Sequence, residues 1–455
     1  MQHNKIQEIR QEILSGDITR TILKLSLPLV FSTLIQQLYN LVDTFWLGFF
    51  GKVALSTPGT ALPLVTTLMH VGLEFSAVGA IFIGQYVGAG EYKKYRKLIG
   101  AVYSFMLISS IITSVLGILI IPYALEFMRI PPSAYSYVRD YLLILYVGIP
   151  FSFLFAASLS VIKAFGRTKL VMKLSILAIA INMILDPVMI FGLFSLPRLG
   201  VRGAALSTVT ADVIVCIISL YIVFSGEMGI PVKAQDIKPD LRFYGKILRK
   251  GIPLAFGSLV NDITTIIMIR LIYGFGIATY AAYLIIMRMV KLLESFTVGI
   301  ASGTGIMISQ NIGAEKYERA EKIARRAMVL NFAVSSIVAL SLAVSREYIV
   351  RVFVSDVQVL MESKNVIPLI LSVPFFTGIF LIVNNVFKYS GHTRESMVLR
   401  MIRLWGLRLP LTYLFGYIIF NSSAGLFWGL GMSNVVSALI AIIFFLMIPW
   451  AKKII

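Results

Sequence analysis

Gln36, Tyr39, Asn40 and Asp43 stand at i, i+3, i+4 and i+7 in an otherwise apolar run, a spacing that stacks them as one polar stripe on an α-helix. Two turns before the stripe lies Pro28, which removes a backbone hydrogen bond and gives such a helix a place to bend. Asn182 and Asp186 repeat the device four residues apart, with Pro187 directly after, and Thr208 in the next apolar run can face the same space. An ionisable group in mid-membrane costs roughly 2.5–3.5 kcal/mol on insertion scales, so each of these acids calls for a partner or a function. Asp43, Asp186, the amide oxygen of Asn182 and the hydroxyl of Thr208 together offer hard oxygen ligands of the kind that suit Na⁺. Alternatively the two acids share a proton, because like charges in a poorly solvated site are not both kept ionised. The plainer alternative is that they accept hydrogen bonds from Asn, Thr or Tyr neighbours and hold helices together.

The elements that carry these residues follow from composition. The chain of 455 residues is 58% hydrophobic and only 14% charged, with a mean hydropathy of +0.87, whereas soluble domains carry about 25% charged residues. Apolar stretches recur along its length, each long enough to cross a hydrocarbon core of about 30 Å as a helix. Runs such as 108–121 do not alternate apolar with polar residues, which argues against a membrane barrel. Twelve helical spans are predicted, the first near 21–47 and the last near 424–448. The polar N-terminus predicts no cleavable signal peptide ahead of them.

The formal charge of +19 reflects loop cations and gives no reason to expect a nucleic-acid partner. Lys93, Lys94, Arg96 and Lys97 fall in one even-numbered loop, and Lys316, Arg319, Lys322, Arg325 and Arg326 in another. The positive-inside rule then puts both termini in the cytoplasm. Cys216 is alone, and the histidines are His3, His70 and His392, so neither a disulfide nor a thiolate or histidine metal site is expected. The chain has no phosphate-binding loop and no nucleophile elbow. Enzymatic activity, a cofactor and direct use of ATP are therefore not expected, and a downhill ion remains as the energy source. A second set of intramembrane charges comprises Asp262, Arg270, Arg288, Lys291 and Glu294, read as internal pairs or as substrate or coupling groups; His70 and Glu74 form a further i, i+4 pair.

An internal repeat appears at a constant offset of 225 residues. Pro28 falls on Pro253, the run 85–89 (QYVGA) on 310–314 (QNIGA), and Lys163, Gly166 and Thr168 on Lys388, Gly391 and Thr393. Six spans per half leave both halves in the same orientation, the parallel-repeat arrangement of transporters, with substrate expected between them near mid-membrane. The division predicted is an N-lobe over 1–225, a cytoplasmic linker over 226–246 and a C-lobe over 247–455. The offset places Met268 and Leu411 opposite Asp43 and Asp186, so the acidic site belongs to the first half alone.

The duplication, Pro28 with the 39–43 run YNLVD, the 85–90 run QYVGAG and its twin, the segment from Asn182 to Pro187, and the 203–208 run GAALST together resemble the multidrug and toxic compound extrusion (MATE) transporters over essentially the whole chain. The acid on span one looks like the DinF branch and its archaeal members. The resemblance implies an all-α integral membrane protein of twelve transmembrane helices in two pseudo-twofold-related six-helix bundles. It further implies alternating-access export of amphipathic, often cationic, drug-like small molecules across the cell membrane in exchange for H⁺ or Na⁺. Carried over by residue, Asp43, Asn182, Asp186 and Thr208 match the cation site, Pro28 the hinge of the first helix, and Gln36, Tyr39, Asn40 and Tyr141 the substrate cavity. Ser207 stands where many members have Ala, and the Arg288, Lys291, Glu294 cluster matches no family motif. A complete two-lobe pathway makes a monomer sufficient. The nearest rival is a flippase for a lipid-linked saccharide, which needs a cationic lining for phosphates; a membrane-embedded enzyme or receptor is a more distant one.

Overall fold

The computed structural model describes residues 2–49, 52–195, 197–229, 231–353 and 356–452, and they contain helices and no strand. A short helix α1 (Gln2–Ser15) precedes six long ones: α2 (Ile18–Gly48), α3 (Lys52–Ala89), α4 (Tyr92–Phe127), α5 (Pro132–Ala164), α6 (Thr168–Phe191) and α7 (Val201–Phe224). The second set is α8 (Leu241–Tyr273), α9 (Ile277–Gly313) and α10 (Tyr317–Phe353), then α11 (Val357–Asn365), α12 (Ile367–Ser372) and α13 (Gly378–Ser390). It ends with α14 (Thr393–Met401), α15 (Leu409–Tyr413) and α16 (Ser423–Met447). Wide π-helical turns at Val373–Thr377, Ile402–Arg408 and Leu414–Ile419 join α12 to α13, α14 to α15, and extend α15. Ten of these helical stretches are long and apolar enough to cross a membrane. The two remaining spans, α9 and the run from α14 through α15, each carry several charged residues, Arg288, Lys291 and Glu294 in the first and Arg400, Arg403 and Arg408 among those in the second.

The residues form two compact units, one of 1–12 and 31–255, the other of 13–30 and 256–455. The chain changes unit three times, after Glu12 in α1, after Val30 in α2 and after Ala255 in α8. The last two positions are equivalent under the 225-residue offset and lie two residues beyond Pro28 and Pro253. In the first unit α5 is central, burying Tyr141, Leu142, Leu145, Tyr146, Ile149 and Phe153 at helical spacing against α3, α4 and α7. In the second unit Met268, Ile286, Val290, Leu369, Phe427 and Leu430 form the corresponding core.

The duplication recurs in backbone detail. The N–H of Gly166 bonds the carbonyl of Lys163 at 2.8 Å and that of Arg167 bonds Ile162 at 3.2 Å; Gly391 with Lys388 at 3.0 Å and His392 with Phe387 at 2.8 Å repeat the pair. Gly166 (φ +75°) and Gly391 (φ +89°) both take the left-handed conformation these helix ends require. Gly90 and Glu315 form a second such pair, at φ +76° and +61°.

Residues 226–246, expected from the sequence to be a linker, lie within the first unit. Arg96 Nε of α4 donates to Asp236 Oδ2 at 2.7 Å, Ser104 Oγ donates to the Lys238 carbonyl at 3.3 Å, and Tyr244 OH donates to Ser104 Oγ at 2.8 Å.

Candidate functional site

Helices α6 and α7 bring Asn182, Asp186 and Thr208 together. The approach is made at Gly203, where a Cβ would run into the Met189 carbonyl. One turn further along α7, Ser207 meets Asp186 and Thr208 meets Asn182, which lie one and two turns back along α6. Asn182 Nδ2 donates to Thr208 Oγ1 at 3.2 Å and lies 3.3 Å from Ser207 Oγ, while the Ser207 hydroxyl donates to Asp186 Oδ1. Asp186 is fully buried and Asn182 only 4% exposed. A carboxylate so far from water depends on such donors, because an unsolvated charge without them is costly.

The remaining sequence expectations are dispersed. Pro28 and Gln36 lie on α2, Gln36 exposed, and Tyr141 is buried on α5. The side chains of Tyr39, Asn40 and Asp43 lie outside the described residues, which give only their helical backbone. The donor set fits a hard cation or a proton: Asp186 supplies carboxylate oxygens, Thr208 and Ser207 hydroxyls, and Asn182 a carboxamide whose nitrogen faces the hydroxyls. No group of three or more His, Cys, Asp or Glu residues suited to a metal occurs among the described residues.

Three features escaped the sequence reading. Ser207, noted only as a departure from the family pattern, is the hydroxyl in contact with Asp186. Asp212, one turn after Thr208 on α7, accepts a hydrogen bond from Ser152 of α5. In the second unit Arg400, Arg403 and Arg408 form a second basic group, while Arg288 and Lys291 are exposed on α9. Counting charges in the eleventh predicted span, near 397–419, was the signal available for the arginines.

The MatE family profile matches residues 28–188 and again 253–414, the same duplication seen in the backbone. The chain belongs to the MatE family. MatE proteins are transporters and not enzymes. Among curated relatives, the probable multidrug resistance protein NorM of Thermotoga maritima is 24% identical over 96% of this chain and 94% of its own. The FAD transporter of Shewanella oneidensis is 25% identical over 93% and 94%. A solved MOP-superfamily transporter from Pyrococcus furiosus superposes with a TM-score of 0.88 at 20% identity, covering 96% of this chain and 97% of that one. An outward-facing multidrug resistance MATE transporter superposes at 0.86 and 20%, again over 96% and 97%. This MatE chain thus has the fold of those transporters.

Proposed function

We propose that the protein is a multidrug efflux antiporter, exporting amphipathic, often cationic organic compounds in exchange for H⁺ or Na⁺ by alternating access. The observation that supports it best is the buried Asp186 carboxylate in its cradle of Ser207, Asn182 and Thr208, because an intramembrane acid is expensive unless it binds something. In this reading Asp43 joins Asp186 in the cation site, and Gln36, Tyr39, Asn40 and Tyr141 line the drug cavity. Cation or proton capture changes the hydrogen bonds that hold α2, which bends at Pro28 and releases drug outward. The lobes rock as units of 1–225 and 247–455 joined by the linker, and a monomer suffices. The loop cations favour cytoplasmic termini in the cell membrane.

Relatives named for multidrug export sit beside one named as an FAD transporter.

The test is efflux of a cationic fluorescent dye from proteoliposomes under a pH gradient and, separately, a Na⁺ gradient. Efflux is expected under at least one gradient and is lost in Asp43→Asn and Asp186→Asn; the gradient that works names the ion. Folded wild-type protein that moves no dye under either gradient would overturn the reading. Linkage adds a second check: drug and cation must weaken each other's binding by the same factor.

A further inference from the structure

Arg403 and Arg408 are five residues apart, which on an α-helix is about 140° round the axis. They lie instead in the π-helical turn Ile402–Arg408, whose wider hydrogen-bonding pattern brings residues five apart toward one side. Both guanidinium groups accordingly reach the same atom. Asn434 Oδ1 on α16 accepts from Arg403 Nη2 at 3.2 Å and from Arg408 Nη2 at 3.0 Å. The other contacts of Arg403 are neutral: Thr377 Oγ1 at 3.1 Å and the face of Phe380, 4.4 Å from the guanidinium carbon. Asn434 is held in turn by Nδ2 donating to Ser372 Oγ at 3.0 Å.

Two cations converging on one amide oxygen repel each other and have left water, so they need negative charge nearby. Glu294 of α9 is within electrostatic reach of Arg403, Arg408 and Lys291, but among the described residues it forms no ion pair with either arginine. One carboxylate also falls short of two arginines and a lysine. The hydrogen-bonding capacity is likewise unused. Arg403 is 7% exposed, and Nε of Arg403, Nε of Arg408 and the Oγ1 of Thr412, one turn after Arg408, are buried without a partner among the described residues. Arg408 is only half-buried, so the pair is not sealed on all sides.

We infer that this cluster in the second unit is a binding site for the acidic head of an organic anion, a phosphate or a carboxylate, taken between Arg403 and Arg408. A guanidinium offers a planar fork of donors matched to these oxyanions, and the unpaired Nε–H groups are the donors an incoming oxyanion would use. Glu294 acts as the resident counter-ion that the ligand displaces. Phe380, against whose ring the Arg403 guanidinium packs, sets an aromatic surface beside the pair. None of the residues on which the cation-coupling reading rests takes part, so either can fail without the other.

The experiment is equilibrium binding of phenylphosphate to the full chain in phosphatidylcholine nanodiscs, with no ion gradient. Saturable binding is expected, displaced by benzoate and not by phenyltrimethylammonium, which has the same ring and the opposite charge. Arg403→Gln and Arg408→Gln should each weaken it tenfold or more. Because losing an arginine can also damage folding, Glu294→Gln serves as the second variant: removing the competing carboxylate should tighten phenylphosphate binding several-fold, a gain that misfolding cannot produce. Absence of saturable binding to wild type, equal displacement by the cation, or unchanged affinity in Glu294→Gln overturns the site. Adding phosphatidylglycerol to the nanodiscs separates the sources: competition assigns the site to a lipid phosphate, and none assigns it to a free organic anion.

Discussion

Ser207 is the residue on which the α6–α7 site turns, since it faces Asp186 and Asn182 at once. A hydrogen bond to a buried charged group contributes about 1.5–3 kcal/mol, so Ser207→Ala should lower stability by that order, measured as a fall in thermal midpoint in detergent, while Ser207→Thr keeps the hydroxyl and most of the stability. Asp236 makes a different kind of prediction. The hydrogen bond from Arg96 holds its carboxyl below the usual carboxylate range. An acid depressed on folding contributes its stabilisation above its unfolded pKa, about 3.9, and loses it as pH falls through the folded value. Protection of residues 226–246 against hydrogen exchange, taken relative to the intrinsic rate at each pH, should therefore be flat from neutrality down to that range and fall only below it, whereas Asp236→Asn lowers it at neutral pH. At this scale Asn182, Asp186 and Thr208 were legible because polar groups in an apolar run stand out and i, i+4 spacing assigns a face. Ser207 was not, because a small hydroxyl beside Thr208 has no pattern of its own; only the close approach of the two helices gives it a carboxylate to reach.

The elements owe their positions to glycine as much as to apolar faces. Gly203 lets α7 approach the backbone of α6, and Gly203→Ala should push the helices apart, separate Ser207 from Asp186 and lower the thermal midpoint further than Ser207→Ala does. Gly166 and Gly391 end equivalent helices in the left-handed conformation, where a Cβ costs about 1–2 kcal/mol; alanine at either should destabilise by that amount, and by similar amounts if the two halves are built alike. The spans themselves were readable from hydropathy, and the loop glycines kept their register under the offset. What the sequence concealed was the π-helical turn at Ile402–Arg408. A reading at 3.6 residues per turn sends Arg403 and Arg408 to different faces. Pro410, just past the turn, lacks the N–H that would continue α-helical bonding there, and it marks the irregularity without revealing its form.

Across the whole molecule the repeat keeps its helix ends and loop glycines in register, interrupts its later helices with π-helical turns only in the second half, and diverges in charge. The first unit buries Asp186 and the second buries Arg403, so one ancestral scaffold carries interiors of opposite sign. Its symmetry is also visible at two of the three points where the chain changes unit, after Val30 and after Ala255, each just past a helix proline. A proline leaves one carbonyl of the preceding turn without its helical donor, and a helix shared between two compact units bends most cheaply at such a point. If Pro28 serves as a hinge, Pro253 is its counterpart, and the two should act in one motion. Pro28→Ala and Pro253→Ala should each slow gradient-driven turnover while leaving drug affinity in the resting state within a few-fold of wild type. Groups that act as one unit are non-additive, so the double variant should be about as slow as the slower single one. Multiplication of the two effects would mean that the prolines serve separate steps, and a Pro253→Ala protein with normal turnover would confine the hinge to α2 despite the symmetry of the fold.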